Sequence, residues 1–186
     1  NKAQNVFNEL PKRNIVTWTA LITGYVQHGL VNDALDCFRK MLLEGIFPDS
    51  IILTCILKAC STIGSLQMGE DAEISKHVSL ERDILIGTAL VDMYSRCCAI
   101  EKAEEVFDTL LGRNIVTWNT LIGGYAQQGP AEKALHCFRK MLEGGISPDV
   151  ITFVCVLKAC GNIGSIQVGQ EIHSKISRMG LIEKDI

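Results

Sequence analysis

The chain repeats itself with a period of one hundred residues. Asn114–Asp149 reads NIVTWNTLIGGYAQQGPAEKALHCFRKMLEGGISPD, and Asn14–Asp49 reads NIVTWTALITGYVQHGLVNDALDCFRKMLLEGIFPD. Aligned without a gap, Arg13–Glu73 and Arg113–His173 share 35 identities in 61 positions, far above chance. Internal repetition on this scale is the signature of arrays in which one supersecondary unit is stacked on the next.

The unit is legible from its apolar spacing. Apolar residues recur at i, i+3, i+4 and i+7, the pattern of one helix face. Ala3, Val6, Phe7 and Leu10 predict a helix over 1–10, which Pro11 ends. Trp18, Leu21, Ile22 and Tyr25 predict one over 15–27, with Gly29 as its C-terminal cap. Ala34, Cys37, Phe38 and Met41 predict one over 31–43, closed by Gly45 and Pro48. Leu53, Ile56, Leu57 and Cys60 predict a helix over 51–61 that Gly64 stops, and Ser65 can N-cap a weaker helix over 66–76. A shorter pair follows over 85–96 and 100–110, and then the second copies, ending with a helix over 168–179. The total is eleven short helices in hairpins of 31 to 36 residues, with no competing strand pattern. A single hairpin cannot bury its stripe, whereas stacked hairpins share a continuous core. The expected architecture is all-α: a right-handed α-solenoid, or superhelix, of stacked helix-turn-helix repeats, with first helices lining one surface and second helices the other.

Bulk properties narrow the function. Of 186 residues, 47% are hydrophobic and 21% charged, a balance that folds rather than stays disordered. The net charge of -3 argues against a nucleic acid held by bulk electrostatics. No apolar run reaches the roughly 18 residues of a membrane span, so no membrane partner is expected. The first residue, Asn1, falls inside a predicted helix, so the chain reads as a piece of a longer protein, with any targeting segment upstream and raw ends prone to end-to-end self-association. Six of the eight cysteines are three pairs of equivalents one hundred residues apart on apolar helix faces, where thiols act as small hydrophobes. Cys55 and Cys60 point about 140° apart on a helix, no C-x-x-C occurs, and the His residues complete no zinc spacing. Neither a metal nor another cofactor is expected.

Among helical repeats, the tetratricopeptide pattern wants Gly four residues after its Trp, yet Ile22 and Ile122 stand there. The residues Val116-Thr117-Trp118-Asn119-Thr120-Leu121-Ile122, followed by Gly124-Tyr125, Gly129, Ala134-Leu135, Phe138, Met141, Gly145, Pro148 and Asp149, instead resemble the pentatricopeptide repeat family, and the first copy matches at nearly the same positions. The resemblance divides the chain into 1–14, 15–49, 50–83, 84–114, 115–149 and 150–185. The alternating lengths, with LVDMYSRC at Leu90–Cys97 and LKAC at Leu57–Cys60 and Leu157–Cys160, are similar to the P, L and S series of the plant PLS subclass. On that reading 1–14 ends an S repeat and the others run P, L, S, P, L. Cys98 stands where the S repeat usually has Gly, so that turn is expected to be strained.

The resemblance implies single-stranded RNA as partner, one base per repeat, read by two or three side chains. In the family the fifth and last residues read the base, and the second, apolar, packs on its face. Carried over, the readers are Thr19 with Asp49, Thr88 with Asn114, and Asn119 with Asp149, and the packing residues are Val16, Leu85 and Val116. The L repeats offer the weaker sets Thr54 with Asp83 and Val154 with Asp185. Arg96 is the expected phosphate contact, since Gln27 and Gln127 replace the usual Lys. The family's pairing rule gives guanine for Thr–Asp, adenine for Thr–Asn and uracil for Asn–Asp, hence 5′-G-N-A-U-3′. From the residues alone, Thr and Asn at these places equally suit helix N-caps, and Asp a loop cap. Over the proposed first helices Lys58, Arg96 and Lys158 stand against Asp92, a net +2 against -5 elsewhere, so a weakly positive inner face is expected.

The implied role is sequence-selective RNA binding within an organellar RNA-processing factor of mitochondrion or chloroplast, a specificity factor for cytidine-to-uridine editing that works with editing accessory proteins. The alternative is a protein-interaction scaffold holding a peptide in its concave groove. A zinc deaminase would need H-x-E and C-x-x-C, which this chain lacks. Any such domain would follow the repeats, and the segment itself is not expected to be an enzyme.

Overall fold

The computed structural model describes residues 2–64 and 83–178. These form ten helices and no strand: α1 (Lys2–Asn8), α2 (Ile15–Gln27), α3 (Val31–Leu43), α4 (Ser50–Ile63), α5 (Ile84–Arg96), α6 (Ile100–Thr109), α7 (Ile115–Gln128), α8 (Ala131–Glu143), α9 (Val150–Ile163) and α10 (Ile166–Arg178). The helix expected over 66–76, its Ser65 cap and Asp185 lie outside the described residues. None of these helices is long and apolar enough to cross a membrane.

The two helices of each hairpin start for different reasons. Asn14, Asp49, Asp83, Asn114 and Asp149 are extended and place a side-chain oxygen on a backbone N–H of the first turn of α2, α4, α5, α7 and α9. Such caps satisfy donors that the helix cannot satisfy itself. The residues before α3, α6 and α8, namely Leu30, Ala99 and Pro130, make no side-chain cap. Those helices are held by their apolar faces: Ala34, Leu35, Phe38 and Met41 on α3, and Ala134, Leu135, Phe138 and Met141 on α8, are buried.

Successive first helices stack in one layer, α2 on α4, α4 on α5, α5 on α7 and α7 on α9. Each of α3, α6 and α8 packs against its own first helix and the next one. The result is an α-solenoid with two buried clusters, one from Phe7 to Met93 and one from Val91 to Ile176, which meet at α5 and α6 where Tyr94 and Val106 pack against both. One junction recurs in both copies. The Phe7 and Trp18 rings meet edge-on at 4.5 Å, and Phe107 and Trp118 at 4.7 Å. Arg13 and Arg113 lie over the two Phe rings at 5.1 and 4.7 Å. Arg113 also donates to the carbonyls of Phe107 and Asp108, both at 3.1 Å, closing the C-terminal end of α6. One expected stripe is corrected: Val6 is exposed, whereas Phe7 is buried and Leu10 packs against the core. Helices α4, α5 and α10 also start earlier than the apolar spacing suggests, α4 and α5 directly after their capping residues Asp49 and Asp83.

The turns after α2, α5 and α7 differ although they are equivalent. Gly29 has φ +71°, the left-handed region. Cys98 adopts φ +61° at the same place, as its substitution for Gly led one to expect, and it is the only described non-glycine residue there. Gly129 is extended instead, with φ -106°. Pro130 follows it, and a proline drives its predecessor out of helical conformations. Gly129 is needed for space: a Cβ would lie 2.6 Å from Tyr125 Cδ1.

Candidate nucleic-acid interface

Capping decides what the expected readers have left to offer. Asp49 Oδ1 accepts from Ile52 N–H at 2.9 Å. Asn114 Oδ1 accepts from Thr117 N–H at 3.0 Å. Asp149 Oδ1 accepts from Thr152 N–H at 2.8 Å. The capping role weighed for these side chains is thus observed, and it leaves only their remaining atoms for a ligand. With its oxygen turned to the helix, Asn114 turns its NH₂, a donor, the other way. An aspartate in the same place keeps a second oxygen, which can only accept. Guanine and uracil present an N–H on the Watson–Crick edge and suit the acceptor, whereas adenine presents N1 as an acceptor and suits the donor.

Asp83 is the exception. Its Oδ1 accepts from Leu85 and Ile86 N–H at 3.0 and 3.3 Å, and its Oδ2 accepts from the Ser50 hydroxyl at 2.7 Å. The Ser50 hydrogen bond, more than the two backbone ones, holds its carboxyl below the usual carboxylate range despite burial. Ser50 stands where apolar Ile15, Ile84, Ile115 and Val150 open the other first helices. With both oxygens engaged, Asp83 is a poorer acceptor for a ligand, a physical reason for the weakness expected of Thr54 with Asp83.

The fifth-position side chains divide similarly. Thr19, Thr54 and Thr88 each donate to a carbonyl one turn back, those of Ile15, Ser50 and Ile84, at 2.7, 2.7 and 2.6 Å. Their oxygens remain as acceptors. Thr88 Oγ1 also lies 3.0 Å from Thr117 Oγ1, which contacts Asn114 Oδ1 at 3.1 Å. Asn119 is 8% exposed and donates through Nδ2 to Asp149 Oδ1 at 2.9 Å. Burial pushes the Asp149 carboxyl up, but hydrogen bonds, chiefly from Thr152 N–H and the Asn119 amide, outweigh it and hold it below the usual range. Val154 is exposed without any such partner role, and Asp185 lies outside the described residues.

Two adjoining grooves gather these residues. One, of about 320 Å³, is lined by Thr54, Lys58, Leu85, Thr88, Asn114 and Val116. The other, of about 300 Å³, is lined by Val116, Asn119, Asp149, Ile151 and Arg96. Val116 belongs to both, so it forms the wall between them. Val16, Ile51, Leu85, Val116 and Ile151 are all more than half exposed, a row of apolar side chains one per first helix. Ile51 and Ile151 escaped the sequence-based set. Their equivalence to Val16 and Val116 in the repeat alignment was the signal that could have found them.

Electrostatics corrects the expected positive inner face. The +2 count left out Asp149, which precedes α9 but lines a groove. Asp92 lines both grooves, and Asp149 lines the second beside Arg96. Arg96 does reach the groove, but its Nε is held by Asp92 Oδ1 at 2.9 Å. Asp92 Oδ2 also accepts from Ser61 at 3.0 Å. Lys58, which lines the first groove, joins Arg96 as a cation able to face a phosphate.

The PPR repeat family model matches residues 13–62 and 113–162, and the PPR repeat model matches 88–115. The Arabidopsis thaliana pentatricopeptide repeat-containing protein At4g30700 is 40% identical over 180 residues, covering 96% of this chain and 23% of that protein. The Arabidopsis protein At3g22150, named chloroplastic, is 42% identical over 166 residues, covering 89% of this chain and 20% of that protein. The chain thus spans about a fifth of these relatives' length. Among solved structures, PPR10 in complex with an 18-nt psaJ RNA element shares the fold at a TM-score of 0.75 and 18% identity, over 97% of this chain and 28% of that one. The PPR domain of Arabidopsis thaliana protein-only RNase P 1 in complex with tRNA gives a TM-score of 0.67 at 14% identity, over 85% of this chain and 86% of that one. With more than half of its residues matched by the family models, the chain belongs to the pentatricopeptide repeat family.

Proposed function

We propose that the chain binds single-stranded RNA along the layer of first helices, one base per hairpin. The observation that carries this is the pair of adjoining grooves, each placing one expected reader pair beside exposed apolar walls. A flat base between Leu85 and Val116 would meet Thr88 and Asn114, and one between Val116 and Ile151 would meet Asn119 and Asp149. Stacking on apolar or aromatic walls tolerates any base, so selectivity falls to the polar pair. Thr88 with the outward amide of Asn114 favours adenine. The Asn119 amide with the Asp149 carboxylate favours uracil. Thr19 with Asp49 favours guanine, which gives 5′-G-N-A-U-3′ over 15–149.

Solved relatives bound to RNA and tRNA support the RNA reading. The alternating hairpin lengths favour the PLS subclass and, with it, a non-catalytic specificity segment of an organellar editing factor that acts with accessory proteins. Relatives named chloroplastic support an organelle. Mixed charge in the grooves implies modest affinity for this segment, falling with salt.

The test is fluorescence anisotropy at low salt with short single-stranded RNAs carrying G-N-A-U, each single substitution, and a DNA control. Wild type should prefer uracil at the last position, and the double variant Asn119→Thr, Asp149→Asn should prefer adenine there. Equal binding to every substitution by both proteins would sink the reading.

A further inference from the structure

The Asn119 amide is held from two sides. Its Nδ2 donates to Asp149 Oδ1 at 2.9 Å, and its Oδ1 accepts from the Thr152 hydroxyl at 2.6 Å. Thr152 is fully buried, and its oxygen in turn accepts from Asp149 N–H at 3.1 Å. A hydroxyl has one hydrogen and two lone pairs, a carboxylate only acceptors, an amide one of each kind. If the amide were flipped, its oxygen would face the Asp149 carboxylate and find no hydrogen there. The Thr152 hydroxyl could accept from the flipped NH₂, but not cure that repulsion. Only one orientation satisfies the triad, and it directs the second Nδ2 hydrogen away from Asp149.

Thr152 is the third residue of the first helix that follows, not part of the hairpin that carries Asn119. Its equivalent Thr117 stands between Thr88 and Asn114, with its hydroxyl 3.0 Å from Thr88 Oγ1 and 3.1 Å from Asn114 Oδ1, but its one hydrogen serves only one of them at a time. At the junctions before α4 and α5 the equivalent residues are Ile52 and Ile86, both buried and apolar, and no bridge is possible. Resting on the RNA reading above, we infer that Thr152 is a positioning residue: Asp149 sets which way the Asn119 amide faces and Thr152 holds the amide from the other side, so that the selectivity of one repeat depends on the third residue of the next. Thr152 touches no ligand itself, since the Asn119 and Asp149 side chains lie between it and the groove.

The variant Thr152→Val keeps shape and β-branching, and leaves Asp149 free to cap α9 through the backbone N–H. Thr152→Ser restores the hydroxyl. Both are titrated by anisotropy with RNAs differing only at the last base of G-N-A-U, after circular dichroism shows native helicity. The preference of wild type for uracil over cytosine should fall by a factor of roughly 2–10 in Thr152→Val, the range of one net hydrogen bond, and return in Thr152→Ser. Preference at the adenine position should not change. A merely structural role would weaken all four bases alike and leave the ratio intact, and that result overturns the inference. A wild type without any base preference overturns the RNA reading instead. A second measurement needs no RNA: nitrogen-15 relaxation of the Asn119 side-chain amide. It should report a rigid group in wild type and Thr152→Ser and a mobile one in Thr152→Val, and an equally rigid amide in all three proteins overturns the inference.

Discussion

Asn119 and Asp149 are 30 residues apart in sequence and joined by a 2.9 Å hydrogen bond from the amide to Oδ1. The same Oδ1 caps α9. One carboxylate oxygen thus ties a hairpin to its successor, and the consequences reach stability as well as recognition.

Acid should unfold the protein partly through these carboxylates. Asp83 and Asp149 both hold their folded pKa below the ordinary 3.8. A group of this kind adds stability above its unfolded pKa, and the addition is lost as pH falls through the folded one. The thermal midpoint should therefore drop as pH goes below about 4, and Asp83→Asn and Asp149→Asn should each flatten that drop. Melting curves followed by circular dichroism between neutral pH and pH 2 read this directly. A wild-type slope unchanged in both variants would show that other groups govern acid unfolding.

Asp92 should restrain RNA affinity. It pairs with Arg96 at 2.9 Å while lining both grooves. Asp92→Asn keeps an acceptor for Ser61 and releases the guanidinium. Affinity should rise severalfold at low salt, and the slope of log K against log salt should steepen by about 0.7, one phosphate contact on a single strand. An affinity that falls would place the carboxylate, not the arginine, in contact with the ligand.

Cys98→Gly should stabilise the chain. A non-glycine residue in the left-handed region costs about 1–2 kcal/mol, and Gly returns about 0.5–1 kcal/mol of that through its freer unfolded state. The expected net gain is about 0.5 kcal/mol or slightly more, measured by urea unfolding. Gly29→Ala, at φ +71°, should lose a comparable amount.

The aromatic junction should carry much more. Trp118→Ala removes a buried ring and should cost about 3–5 kcal/mol. Arg113→Ala removes two hydrogen bonds to the end of α6 and the cation over Phe107, for about 1–3 kcal/mol. Since each hairpin is stabilised chiefly by its neighbours, Trp118→Ala should split urea unfolding into two transitions. A single cooperative transition in that variant would show that coupling passes mainly through other contacts between first helices.

Much of the molecule could be read from residues a few positions apart. A stripe such as Trp18, Leu21, Ile22 and Tyr25 declares a helix and its buried face because helical spacing is a local property. Asn14 and Asp149 declare where helices begin because a cap bonds within its own first turn. The left-handed turn at Cys98 was legible because its glycine equivalent stands at Gly29. Gly129 was not, since Pro130 changes the backbone beside it. The meeting of Asn119 with Asp149 and Thr152, the second oxygen of Asp83 taken by Ser50, and the entry of Asp92 into both grooves belong to the stacking of one hairpin on the next. They depend on the angle and offset between first helices, which the summed packing of side chains such as Leu90, Val91, Leu121 and Val156 sets. No local spacing contains that angle. Local spacing sets the helices, their caps and their apolar faces, whereas the stacking of hairpins sets which capping atoms remain for a ligand and which charges share its groove.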